Sequence, residues 1–537
     1  MKRRTFVKSA LGAAAAAPFM LNGLSVRATT PLKFLAQLPE ALVNDRILII
    51  CQLFGGNDGL NTVVPAEDDV YYNLRPNIAV PKKLCWNFPG SSLYLNPALT
   101  WGDKPGVFGG VAKMFVEGNL AIVQGIGYDN PNLSHFRSTD IWLSSITGAD
   151  TQTRLESGWV GRYLESKYPN FPDSLPDEPL AIQLSGSTLA LQGTKHRMGI
   201  EVVNPAGQAG VGTMSDTLDT DSKGTSYETE YAFLADIATR SNKYALAVKN
   251  AYNAGITQLK ANYNTKDNFA KQMQAVGAMI AGGLKTNVYV VSMGGFDTHV
   301  SQTIPSDKFV SGGHPSLLGS FSDAVAQFMN DMIRLNQGDR VLGLTVSEFG
   351  RRPQENGSFG TDHGAAGVQF VFGTQVNGVV YGYNYDLAKD LNENGDLRFS
   401  VDFRSVYAEV LTDWFGMPLN DAQDLLHAGR NLPVTDVIKP QSVGVSNRDY
   451  TEHFAITSNY PNPFASKTTL ELSLPDASHV TLEISSLTGG ETIRVFDRNL
   501  AAGRQSIPLD LNLPSGSYLC VAKAGGRMTS KMIQCMR

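Results

Sequence analysis

The sequence predicts an α/β fold: a doubly wound, mostly parallel sheet, followed by a small C-terminal antiparallel β-sandwich. Three observations carry this. From about residue 46 to 435, short apolar runs alternate with amphipathic helical patterns. Several runs are apolar at every position, as strands covered by helices on both faces must be. After about residue 436 the pattern changes to short alternating strands broken by Pro and Gly turns.

The strand candidates are RILIICQL (46–53), NLAIVQGI (119–126), LAIQL (180–184), NVYVVSM (287–293), VLGLTVSEF (341–349) and VQFVFG (368–373). A helix is predicted around 266–284, with Phe269, Met273, Val276, Ile280 and Leu284 on one stripe. A second carries Leu317, Phe321, Val325, Phe328, Met332 and Leu335. Strand, helix, strand in that order implies parallel pairing through right-handed crossovers. Residues 205–226, rich in Gly, Ser, Thr and Asp without a period, read as an exposed loop or lid, and 228–262 as helical.

With 537 residues the chain has room for more than one domain. Residues 1–28 hold Lys2, Arg3, Arg4, Lys8 and Arg27 and no acid, ahead of an apolar run too short to span a bilayer. This reads as a leader cleaved after Ala28. Without its five bases the chain keeps 40 against 50 acids, near −10, and no basic run that would serve nucleic acid. No other apolar run suggests a transmembrane segment in the mature chain. Cys51, Cys85, Cys520 and Cys535 show no zinc spacing. Cys51 reads as core, and Cys520 with Cys535 as a pair for an oxidising compartment.

In open α/β sheets, chemistry gathers beyond the carboxyl ends of the strands. Here those ends carry Asn57 and Asp58; Ser134, His135, Arg137 and Asp140; Asp297 and His299, with His314 later; and Glu348, Arg351, Asp362 and His363. Carboxylates and imidazoles are the ligands of hard-to-borderline divalent cations. Each cluster also has a plain structural reading: Asp58 in a Gly turn, Ser134 as a helix N-cap, Glu348 ion-paired with Arg351 or Arg352.

The strings QLFGGNDGLNTVVP, NPNLSHFRSTDIW, GWVGRYL, GGFDTH, SEFGRRPQENGSFGTDHGAAG and DFRSVYAEVL give residues 40–435 a resemblance to the family catalogued as domain of unknown function 1501. That family looks distantly similar to the alkaline phosphatase and sulfatase superfamily. The resemblance implies Asp58 as a metal ligand ending the first strand, Ser134 as nucleophile at a helix start, and Asp297, His299 and His363 as further ligands. It implies an exported hydrolase of phosphate or sulfate esters dependent on a divalent metal (zinc, calcium or magnesium). Asp58 and Glu348 would hold a second ion or orient the nucleophile, and Arg351 or Arg137 would pair with the ester's oxygens. The chain departs from the superfamily in two ways: one residue separates Asp297 from His299, and Phe349 stands where a ligand His is expected. His135, His314 or Asp362 would then supply the missing donor. The alternative is a non-catalytic surface protein binding an anionic glycan or partner in the same pocket.

The RRTFVK core of the leader resembles a twin-arginine signal, implying the twin-arginine translocase and transit through the periplasm. Residues 436–457 read as a linker. Residues 458–537 resemble a type A sorting domain of the type IX secretion machinery through Tyr460-Pro461-Asn462-Pro463-Phe464, the Leu487-Thr488-Gly489 turn, Leu513-Pro514-Ser515-Gly516-Ser517-Tyr518 and the last strand with Lys531. That resemblance implies a secreted or cell-surface destination.

Overall fold

The structure is a computed structural model describing residues 45–87, 94–100, 108–148, 155–207, 243–304, 311–382, 385–429, 432–433, 435–439, 454–486, 492–525 and 527–537, with the backbone of 19–21 and 24–26. Most of the leader, the stretch 208–242, most of the linker and the Leu487-Thr488-Gly489 turn lie outside the described residues.

At the centre of the main sheet is β1 (Ile47–Leu53), buried at all seven positions. After it in the chain come β2 (Leu120–Gly127), β3 (Ala181–Gln183), β4 (Val288–Met293), β5 (Val341–Ser347), and then β6 (Gly350–Glu355), β7 (Thr361–Gly364) and β8 (Gly367–Phe372). β1 pairs in parallel with β4 and β5, and β4 in parallel with β3. Ile47, Ile49 and Cys51 enter one apolar cluster with the helices Asn268–Ala281 and Gly313–Arg334. Leu48 and Ile50 enter a second, with the helices His135–Ser144, Trp159–Lys167 and Phe403–Glu409. Helices on both faces explain the unbroken apolar runs, and the two long helices lie where their stripes predict.

β8 departs from the parallel pattern. It runs antiparallel to β5 and to β2. Between Ser347 and Gly367 the chain makes only the β6–β7 antiparallel pair, with no crossover helix, so it returns beside β5 in the opposite sense.

Among the described residues the tail forms seven strands between Ala455 and Cys535, antiparallel in two groups around a shared apolar cluster. Cys520 and Cys535 are buried there as free thiols, as are Cys51 in β1 and partly buried Cys85. The expected Cys520–Cys535 disulfide is absent because the strand register sets Cys520 opposite Lys531 and Cys535 opposite Gly516.

Candidate metal centre

The Gly-Gly-Asn-Asp-Gly turn after β1 is shaped by what presses on it. Gly55 has φ +116°, and a Cβ there would lie 2.1 Å from the Asp297 nitrogen. Gly56 has φ +81°, and its Cβ would meet the Phe349 ring at 2.6 Å. Only glycine allows this close approach of the first-strand turn to the loop after β4.

That loop carries Asp297 and His299. His363 stands on β7, opposite Arg351, and His135 begins the helix that Ser134 caps from an extended conformation. Three imidazole Nε2 atoms converge on the Asp297 carboxylate: His299 at 3.2 Å, His363 at 3.3 Å and His135 at 3.5 Å. His135, Asp297 and His363 each offer a ligand atom within 4.8 Å of one another, and His299 Nε2 lies 2.9 Å from His363 Nε2.

The other ring nitrogens explain this orientation. His135 Nδ1 faces Glu348 Oε2 at 2.5 Å, His299 Nδ1 faces Asp362 Oδ1 at 2.9 Å, and His363 Nδ1 faces the Leu133 carbonyl at 2.8 Å. An ionised carboxylate or a carbonyl only accepts, so each Nδ1 carries a proton and each Nε2 is turned toward Asp297. Burial, together with the Arg351 charge, holds His363 below the usual histidine range despite the Leu133 carbonyl. Burial alone would raise Asp297, but the hydrogen bond and charge of Arg351, with His299 and His135, take it below the ordinary carboxylate value. Nitrogen lone pairs 2.9 Å apart repel unless a proton or cation lies between them. Tetrahedral bonds of about 2.0–2.1 Å would space donors by roughly 3.3 Å, close to the separations around Asp297. The donor set therefore fits a cation.

The remaining expected residues lie elsewhere. Asp58, predicted as a ligand, is fully buried and ion-paired with Arg75, Oδ2 to Nη1 at 2.6 Å. It also accepts from the Leu60 and Asn61 amides and from Gln302 Nε2, so its oxygens are occupied. Burial raises its pKa, and the Arg75 charge and hydrogen bond, with His314 and Gln302, outweigh that and leave it lowered. Glu348 is not at the Nε2 face. It accepts from His135 and from the Gly55 amide, and burial, the largest influence, raises its pKa despite His135. His314 is fully buried, with Nε2 2.9 Å from Asn57 Oδ1, and burial pushes its pKa down to about 4. Arg351, 1% exposed, donates to the Gly55, Gly56, Phe296 and Thr361 carbonyls and to Asp297 at 2.6 Å. It positions Asp297 rather than reaching an ester. Phe349 supplies an apolar wall, its ring centroid 4.4 Å from that of His363 and 5.1 Å from that of His135.

Ser134 is exposed, and its hydroxyl makes no capping hydrogen bond. It sits between Leu133, which fixes His363, and His135. Arg137 is partly buried one turn into the same helix. Two further residues stand at this cluster. His135 has ligand geometry, and its place directly after Ser134 at a strand end was the available signal. Arg352 lines an open cleft of about 490 Å³ with Leu133, His299, Asp362, His363, Asn394 and Asp396. Its Nε donates to Asp396 at 3.1 Å and its Nη2 to the Asn394 carbonyl, and the side chain stays 41% exposed at the cleft.

These features define an α/β protein with a solvent-open imidazole–carboxylate cluster at the carboxyl end of its sheet. The chain belongs to the family described as protein of unknown function (DUF1501), which matches residues 122–427. Residues 458–535 are a secretion system C-terminal sorting domain. No curated protein matches. Among solved structures, the PsFucS1 sulfatase from Pseudoalteromonas sp. is 9% identical over 75% of this chain and 72% of its own, with a TM-score of 0.29. Ps i-CgsB in complex with k-i-k-neocarrahexaose is 9% identical over 71% and 74%, with a TM-score of 0.27. The sensor domain of the anti-sigma factor RsgI4 of Pseudobacteroides cellulosolvens is 7% identical over 16% of this chain and 93% of its own, at 0.14. Scores this low carry no argument for fold or function. Among the described residues, no helix is long and apolar enough to cross a membrane.

Proposed function

We propose that this chain is an exported, metal-dependent hydrolase of phosphate or sulfate esters, with one divalent ion held by His135, Asp297, His299 and His363. The observation that carries the reading is the convergence of three oriented Nε2 atoms on one carboxylate beside an open cleft. An imidazole-rich set favours a zinc-like ion over calcium or magnesium, which prefer oxygen. Such an ion would supply Lewis acidity to an ester oxygen.

The chain's own groups do the rest. Ser134, with an uncapped hydroxyl at a helix start, is the nucleophile, and the helix end favours negative charge on its oxygen. Arg352, facing the cleft, takes the anion-pairing role expected of Arg351, and Arg137 is the second candidate. Glu348, Asp362 and the Leu133 carbonyl hold the three rings. With Asp58 and Glu348 already engaged, one ion is proposed rather than two. The leader would pass through the twin-arginine translocase to the periplasm, and the tail through the type IX machinery to the surface or medium.

A second reading has its own support. Four protein donors fill a tetrahedral ion, as in non-catalytic zinc sites, which favours a surface protein binding an anionic glycan in the cleft. Turnover decides between them. The hydrolase reading expects the zinc-loaded chain to cleave an aryl phosphate or sulfate and Ser134→Ala to abolish it. Absence of turnover with a full metal complement would favour the binding reading.

A further inference from the structure

In a sheet packed on one face, residues alternate between core and solvent. The tail strand Gly516–Ala524 breaks that rule. Tyr518, Cys520, Ala522 and Ala524 point into the tail's own core. Leu519 and Val521 point the other way, yet are only 0% and 1% exposed. What covers them is Val116, at the end of the helix Gly110–Val116, with Trp86 and Met528 packed alongside. The neighbouring tail strand Arg527–Cys535 pairs antiparallel with Val379–Tyr381, at Val379 with Thr529 and Val380 with Met528. Ser530 Oγ donates to the Gly378 carbonyl at 3.2 Å. Val379–Tyr381 in turn pairs in parallel with β2. The sorting domain thus completes the open edge of the main sheet, and its outward apolar residues are spent on the core.

We propose that the sorting domain is a docked, non-covalently retained part of the molecule, so that cutting the chain between Lys439 and Phe454 does not release it. Release requires prying the Leu519–Val521 face from Val116 and the last strand from Val379–Tyr381, which would bare a sheet edge and an apolar patch. The inference is independent of the metal and of catalysis.

The test places a protease site between Lys439 and Phe454 in the full chain, cleaves the folded protein and runs gel filtration at micromolar concentration. The two fragments are expected to co-elute, and their separation would overturn the proposal. The double variant Leu519→Asp with Val521→Asp should separate after the same cut, with the bound fraction falling at least about tenfold. Should it fail to fold, Val116→Asp addresses the contact from the core side. Co-elution of these variants as tight as that of the parent would equally overturn the proposed face.

Discussion

At the residue scale, the structure separates groups that would touch an ion from groups that hold them. Asp58 and Arg75 form a fully buried pair, and through Gln302, which accepts from Thr298 and Thr361, they stand beneath the loop that carries His299 and the strand that carries His363. Breaking such a pair by neutralising one member strands a buried charge, at a cost of about 3–5 kcal/mol. Arg75→Met is therefore expected to lower unfolding stability by roughly that amount in urea titration, while chains folded at low temperature are expected to bind the proposed ion as the parent does. Glu348 acts on His135 from behind, so Glu348→Gln should weaken metal affinity about 10–100-fold in competition with a chelator, with little change in Ser134 exposure. His314 gives a pH prediction. Its folded pKa of about 4 lies below the unfolded histidine value of 6.5, so burying it neutral stabilises above pH 6.5, and that stability is lost as pH falls from 6.5 towards 4. The loss amounts to at most about 3 kcal/mol. His314→Asn should flatten that part of the stability–pH curve, and an unchanged curve would show that His314 does not contribute.

At the element scale, the strand-end turn is the critical joint. Gly55→Ala places a Cβ against the Asp297 backbone at a left-handed φ. It should cost about 2 kcal/mol or more and reduce metal binding with it, both measurable on one preparation. The strands of the main sheet were legible because their runs are apolar on both faces and flanked by clear helical stripes. The direction of β8 was not, because only the hairpin from Gly350 to Gly364 dictates it, and Arg-Arg-Pro-Gln-Glu does not look like a strand. The site was half legible. Asp297, His299 and His363 follow strand ends and converge. Asp58 and Glu348 carry the same chemistry at the same kind of position, but sequence could not show that Arg75 and His135 already occupy them. A carboxylate's partner is fixed by tertiary approach, not by its own neighbours.

At the scale of the whole molecule, a sheet that runs from the core into the tail joins the imidazole–carboxylate cluster to a signal for export. The cluster lies at the carboxyl end of the parallel strands, as open α/β architecture favours. The most direct test is metal analysis of the folded full-length protein after zinc exposure and exhaustive dialysis. The account predicts about one tightly held divalent ion per chain, lost in folded His363→Ala and Asp297→Ala variants. A folded wild-type chain that retains no ion, or variants that keep the full complement, would contradict it.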